Sequence, residues 1–407
     1  MSRVWRSDDT DPWLDAFGDG SAGDWTIASS VTHTNSTHYN RSSIAGTSGG
    51  YTATAGQTVH QNGELVLLIQ CRGTGAGNYE LNRIASGGGT TSLTFAYPLQ
   101  NTYTEDGGAS QAQIIQLKPY NNITVNSGQT LTAELWDGNI GGVIVLIAAG
   151  TITVTGTISA SGRGFAGGAL VTGDTVGKQG DGSAGAGTNS QAANGCGGGG
   201  GQRHNPGVYN PSGGGGGGHA AAGSNPTNKT NSGSGTVGGS AVGVAGLTTI
   251  FMGGGGGAGG GKSGGGNSGA GGTGGGIIIL IAKTITIGGT VVANGANGSA
   301  PSNTSDAGGD GGGGGAGGSV LLKGEDVTVG TNKITVAAGA GNTSGSHSNA
   351  GNGAVGRIHV DYSNSFSGSA SPTIDSRLDT TIVGRVPTTN YLRRYRRTRI
   401  PGGINGV

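Results

Sequence analysis

The chain has 407 residues, 95 of them glycine, with 32% hydrophobic, 5% aromatic and 11% charged residues and a formal net charge of +1. Low charge of either sign does not fit charge-driven disorder, and glycine without a G-X-Y period excludes collagen. The two cysteines, Cys71 and Cys196, lie far apart in no metal or redox motif, so two small buried thiols are expected, with one disulfide as the alternative.

Residues 1–50 are polar and turn-rich, and the opening MSRVWRSDDTDPWLDAF has no apolar segment of the kind that marks a secretory signal. A β domain is expected over 51–140. Its strands read as ELVLLIQC (64–71), YELNRIAS (79–86), TSLTFAY (91–97), AQIIQLK (112–118), ITVNSG (123–128) and LTAELW (131–136). β-branched and aromatic enrichment between Gly, Asn and Asp punctuation favours strands over helices there. No stretch of the chain carries a helical amphipathic period, so helix content should be very low.

Residues 141–362 contain an internal repeat. GGVIVLIAAGTITVTGTISASGRG (141–164) aligns with GGIIILIAKTITIGGTVVANGANG (275–298) through a single-residue gap. GGSVLLKGEDVTVGTNKITVAAGAG (317–341) is a third copy, and VGRIHVDY (355–362) begins a fourth. The spacings are about 134, 42 and 38 residues, with glycine-rich insertions of unequal length between units, the largest at 162–276. Units that cannot bury their apolar face alone are expected to stack. The longest apolar runs, VIVLIAA and IIILIA, are about a third of what spans a bilayer, so no membrane span is expected. Residues 363–407 form a C-terminal tail with five arginines in LRRYRRTRI.

Each ordered glycine costs roughly 0.5–1 kcal/mol relative to alanine in regular structure. Tracts such as 195–201, 213–218 and 253–276 are therefore either flexible low-complexity sequence or something that requires the missing side chain. Extended left-handed helices of three residues per turn have no internal hydrogen bonds and can exchange them with neighbours. The expected fold is all-β: a strand-rich N-terminal domain, then layered β-repeat or solenoid units with packed polyglycine type II-like helices in the insertions.

Catalytic chemistry is not expected. The seven histidines have no metal-ligand spacing, the GKS at 261–263 lies in a glycine tract and opens no helix, and GGDGGGGGAGG (308–318) lacks the periodic aspartates of calcium-binding repeats. Glu325 and Asp326 are adjacent and point to opposite faces of a strand. No cofactor or metal is implied. His204 and His219 could approach across two glycine tracts, with solvated loop histidines as the blander reading.

Binding is better served, because loops on a rigid scaffold carry recognition. Arg203, His204, Tyr209 and Asn210 place an aromatic ring and several hydrogen-bonding groups in one loop, suited to a sugar or an outer-membrane protein loop; Tyr209 could equally cap the tracts. Lys229 and His347 are further candidates. Arg393, Arg394, Arg396, Arg397 and Arg399 suit docking to an acidic neighbouring subunit, with a solvated tail or nucleic acid as alternatives. Nucleic acid is the least favoured of these, because the rest of the chain offers no basic face.

The glycine tracts and the loops between them resemble the glycine-rich adhesins at the tips of long tail fibres in T-even-like bacteriophages. FGDGSAGDWTIASS (17–30) is similar to a segment near the start of glycine-rich phage tail and virion proteins. Residues 63–86 and 112–168 are similar to a module of glycine-rich bacterial surface proteins. The resemblance implies a non-enzymatic virion protein whose loops contact a host-surface glycan or outer-membrane protein. It also implies other virion subunits as partners and a homo-oligomer, for which a trimer is one arrangement. A capsid-decorating or cell-surface filament subunit and a β-solenoid carbohydrate-active enzyme are the alternatives.

Overall fold

The computed structural model describes residues 17–33, 39–229, 233–264, 266–304 and 308–382, and they form an all-β structure without helices. Strands Arg41–Gly46, Thr52–Ala55, Ser92–Phe95, Tyr79–Ser86, Leu65–Arg72 and Gln111–Leu117 close an antiparallel barrel in that spatial order. All eight residues of LVLLIQCR are buried, which a period-2 strand manages only by covering both faces. Val66 and Leu68 point into the barrel with Ile44, Ile84, Phe95 and Ile114. Leu65, Leu67, Ile69 and Cys71 point outward against Val143, Val145, Ile147, Ile277 and Ile279. Each such aliphatic side chain contributes about 1.5–3 kcal/mol by its burial. The barrel is thereby fixed to the sheet that carries everything else.

That sheet has twelve strands, all paired in parallel. Successive strand–turn–strand arches lie one on the next: Trp25–Ile27 with Val31–His33, Ile123–Val125 with Thr130–Ala133, Val143–Val154 with Thr157–Ser159, and Ile277–Ile287 with Thr290–Val292. Ser319–Thr335 and Arg357–Ser371 follow. Val143 lies opposite Ile277, Ile277 opposite Ser319, and Ser319 opposite Arg357, the offsets at which the sequence repeats align. The alignment gap falls where the register shifts, between Ala148 and Thr151. Inside the arches Ile123, Ile152, Ile285 and Val327 face Leu131, Ile158, Val291 and Ile334 in one core. At the bends a Cβ on Gly289 would press into the Gly156 carbonyl beneath it, so that position needs glycine.

Two stretches differ from the sequence reading. The segment 1–50 supplies the first arch and a barrel strand, although its three-residue strands are too short and polar to announce themselves. The strand beginning at Arg357 continues through residues 363–371, and Asp375–Leu378 adds to its edge. In both cases pairing with a neighbouring strand overrides weak local propensity.

The glycine tracts project from the strand ends. Residues 252–261 are buried throughout, and none of 253–261 has a left-handed φ. Their N–H donors change partner with a period of three. Gly253, Gly256 and Gly259 donate to Gly275, Gly272 and Gly269; Gly254, Gly257 and Gly260 to Gly218, Gly215 and Ser212; Gly255, Ala258 and Gly261 to Asp181, Lys178 and Thr175. The carbonyls repeat the pattern on three further neighbours. Phe165 and Gly168 donate to Gly253 and Gly256; Ala316, Gly313 and Asp310 to Gly254, Gly257 and Gly260; Gly198, Gly201 and His204 to Gly255, Ala258 and Gly261. One tract is thus bonded to six others at 2.8–3.2 Å. Glycine is needed here for space rather than for φ: a Cβ on Gly256 would meet the Gly313 carbonyl oxygen, and one on Gly257 that of Gly199.

Candidate recognition surface

Because 142, 276, 318 and 356 lead directly into strands, one end of the tract bundle abuts the sheet. At the opposite end Gly261 meets Thr175 and His204, Gly260 meets Ser212 and Asp310, and Gly259 meets Gly269. The loops 169–175, 202–212 and 262–264 emerge there, joined by 225–229 and 342–349.

Four of the sequence candidates share one hairpin. Asn205-Pro206-Gly207-Val208 is closed by a 3.0 Å bond from the Val208 N–H to the Asn205 carbonyl, and Gly207 has φ +73°. Proline second and glycine third suit that turn. Arg203 is exposed beside it, and Val208 at its tip is 57% exposed. The Tyr209 hydroxyl accepts a 2.9 Å bond from Gln202 Nε2, so the ring is half-buried and fixed. Asn210 Oδ1 accepts from Lys262 Nζ at 3.2 Å, and its carbonyl accepts from the Gly233 N–H at 2.9 Å. His204 Nδ1 lies 3.1 Å from Asp174 Oδ1, which also accepts the Ser263 N–H at 2.9 Å. The bond from the Ser263 backbone is the main cause that holds the Asp174 carboxyl below its ordinary range.

Lys229 occupies the neighbouring pair of loops. Its Nζ donates to the carbonyls of Thr343 and Gly345 at 2.8 and 2.7 Å, and Thr227–Asn228 pairs antiparallel with Ser348–Asn349. His347 does not belong to an exposed contact set: it is 1% exposed, because that small ladder folds its loop over it. His219 does not approach His204. It lies fully buried at the sheet end, with Nε2 3.1 Å from the Phe251 carbonyl and 3.0 Å from Ser319 Oγ, and burial pushes its pKa down to about 4. The five tail arginines, Arg393 to Arg399, lie outside the described residues.

Sequence reading missed three clusters. Asp310, in the middle of a glycine run, is wholly buried, accepts from Ser348 Oγ at 3.0 Å and from the Gly311 N–H at 3.1 Å, and burial raises its pKa to about 6. Ser42 Oγ, His60 Nε2, His60 Nδ1 and Glu64 Oε2 form a chain at 3.3 and 3.2 Å, the spacing of an acyl-transfer triad. Ser42 and His60 are 1% and 0% exposed, so the triad is sealed from any substrate. His359 bridges Asp375 and Asp361 at 2.6 and 3.0 Å, while Lys323 and Arg377 reach Asp361 at 2.8 Å each. This last network pins the edge strand Asp375–Leu378 to the sheet. Each cluster is closed by a partner well away in the sequence: Ser348 is 38 residues from Asp310, Ser42 is 18 from His60, and Asp375 is 16 from His359. Among the described residues no group of three or more His, Cys, Asp or Glu side chains could hold a metal ion, and Cys71 and Cys196 are both buried free thiols.

No known protein-family model matches this chain, and comparisons with curated proteins and with solved structures gave no match.

Proposed function

We propose that this chain is a non-enzymatic recognition protein of a phage particle, a tail-fibre or surface adhesin. In this reading the arches are a short β-solenoid, the tracts are polyglycine type II-like rods grown from it, and the loops at the rod ends bind a host-surface receptor. The period-three exchange of partners around 253–261 carries the reading, since three residues per turn is the repeat of an extended left-handed helix. Rods bonded on all sides form a stiff support, and the hairpin 203–210 is carried at its free end. The resemblance to glycine-rich tail-fibre adhesins points the same way.

Replacing Arg203 and Tyr209 together with alanine should lower attachment to host cells at least tenfold. The melting temperature should move by no more than about 2–4 °C, since Arg203 is exposed and Tyr209 is only half-buried in a surface loop. Unchanged attachment would remove the hairpin from the recognition surface.

A second reading, a filament subunit, draws on the edge of the sheet. All four residues of Asp375–Leu378 are exposed, and Leu378 is 57% so. An open edge is a template for pairing. Concentration-dependent growth beyond a small oligomer, measured by light scattering, would favour it.

A further inference from the structure

A groove at the same end of the bundle points to the class of ligand. It has a volume of about 390 Å³ and runs between 225–228 and 233–236. That lies in the lower part of the range for small-ligand sites. None of the residues lining it is charged. The next residue along the chain, Lys229, has its ammonium committed to the carbonyls of Thr343 and Gly345 at 2.8 and 2.7 Å.

The floor and walls are fixed by the protein. Thr236 is 5% exposed, and its hydroxyl donates to the Gly200 carbonyl at 3.2 Å. Gln191 Nε2 donates to the Ser234 carbonyl at 2.9 Å, and Thr227–Asn228 is held by its ladder to Ser348–Asn349. Asn225 Oδ1 accepts the Gly238 N–H at 2.8 Å, which leaves the two donors of its amide nitrogen unused. Thr227 Oγ1 and Ser234 Oγ likewise have no partner among the described residues, and all three side chains are exposed. The groove also borders the hairpin. The Gly233 N–H donates to the Asn210 carbonyl, a Cβ on Gly233 would run into the Gln202 side chain, and Gln202 holds the Tyr209 hydroxyl.

We infer that this groove takes a neutral glycan, a sugar chain without phosphate or carboxylate groups, through Asn225, Thr227 and Ser234. Amide donors and hydroxyls that both donate and accept match sugar hydroxyls. A charged ligand finds no counter-charge in the lining, and an apolar one finds little beyond Pro226. Tyr209 supplies a neighbouring ring for the C–H face of a further sugar unit. The inference rests on the proposed recognition role and names the ligand that role would use.

The full-length protein is to be tested against immobilised dextran, galactan, mannan and chitin oligosaccharides, with polygalacturonate and duplex DNA as charged comparisons. Binding to at least one neutral glycan is expected, little altered by salt. T227A, S234A and N225D should each weaken it about three- to tenfold, as loss of one hydrogen bond does. The two alanine variants remove hydroxyls without a partner among the described residues, and N225D keeps the acceptor of the Gly238 N–H, so all three should melt like the parent. Binding to none of the neutral glycans, variants indistinguishable from the parent, or a salt-sensitive preference for polygalacturonate or DNA overturns the inference. Host-cell attachment of the same variants separates the two levels. Attachment lost in the groove variants, with no neutral glycan bound by the parent, overturns the glycan and leaves the recognition role standing. Glycan binding by the parent, with attachment kept in the groove variants and in the double alanine variant of Arg203 and Tyr209, supports the groove's ligand and sinks the recognition role.

Discussion

In the arch stack, Ile285 lies between Ile152 and Val327 and packs through its side chain; in the tract bundle, Gly256 packs against Gly168, Gly272 and Gly313 through its backbone alone. Both regions are buried, and both are built from parallel or antiparallel neighbours. The first gains from every methyl group it holds, at about 0.8 kcal/mol per buried CH₂. The second has room for a Cβ at Ala258 but not at most of its glycines, such as Gly256 and Gly257, where one would displace a carbonyl. Adding a side chain should therefore destabilise the bundle, whereas removing one should destabilise the arches, and this gives a set of graded tests.

The largest effect is expected from Gly256→Val. The new side chain would enter the space of the Gly313 carbonyl and break bonds on more than one neighbouring tract. A loss on the order of 4 kcal/mol or more is expected, a large share of the ~5–15 kcal/mol that holds a domain together. Denaturant unfolding, or the yield of soluble protein, reads it. In the arches the corresponding change is the reverse one. Ile285→Ala should cost about 2–5 kcal/mol by leaving a cavity, measurable as a lower denaturation midpoint with an unchanged slope.

Next comes pH. Asp310 has its pKa raised by burial from 3.8 to about 6, so the folded state holds its proton more tightly than the unfolded one between those values. Its contribution is fully present below about 3.8 and is lost as pH rises through 6, by roughly 3 kcal/mol in total at 1.36 kcal/mol per unit. Asp310→Asn should therefore stabilise the protein at pH 8 and change little at pH 4, judged by thermal melts of both proteins at both values. A variant that is equally destabilised at the two pH values would mean the carboxylate is needed as an anion. His219 works in the opposite sense, its stabilising neutrality being lost as pH falls from 6.5 through 4, so the variant comparison is more informative than the parent's pH curve.

The smallest effect separates space from conformation. Gly264, beyond the end of the central tract, has φ +76° and nothing near the place of a Cβ. Gly264→Ala should cost only about 1–2 kcal/mol, from the left-handed backbone alone. A cost approaching that of Gly256→Val would mean that conformation, rather than crowding, makes glycine necessary in the tracts.

The arches were legible because in-register parallel stacking sets like residues beside like. VIVLIA and IIILIA align in sequence for the same reason that Val143 faces Ile277 and Leu146 faces Leu280 in space. The glycine tracts carried no such information. Nothing in a run of glycines distinguishes Gly215 from Gly272 as the partner of a given N–H, so the bundle's neighbours had to come from the structure. The site was legible to the same uneven degree. Arg203, His204, Tyr209 and Asn210 fell together because they lie within eight residues of one loop, whereas the burial of His347 depends on a two-residue ladder to a segment more than a hundred positions away. Asp310 looked like an interruption in glycine and proved to be a buried carboxyl held by Ser348.

Hydrogen exchange at the amides of 253–261 tests the central claim most directly, since each of them donates to a neighbouring tract. Protection comparable to that of Val143–Val154, opening only with global unfolding, is the expected result. Exchange near the rate of an unstructured glycine chain, while the arch strand stays protected, would contradict it.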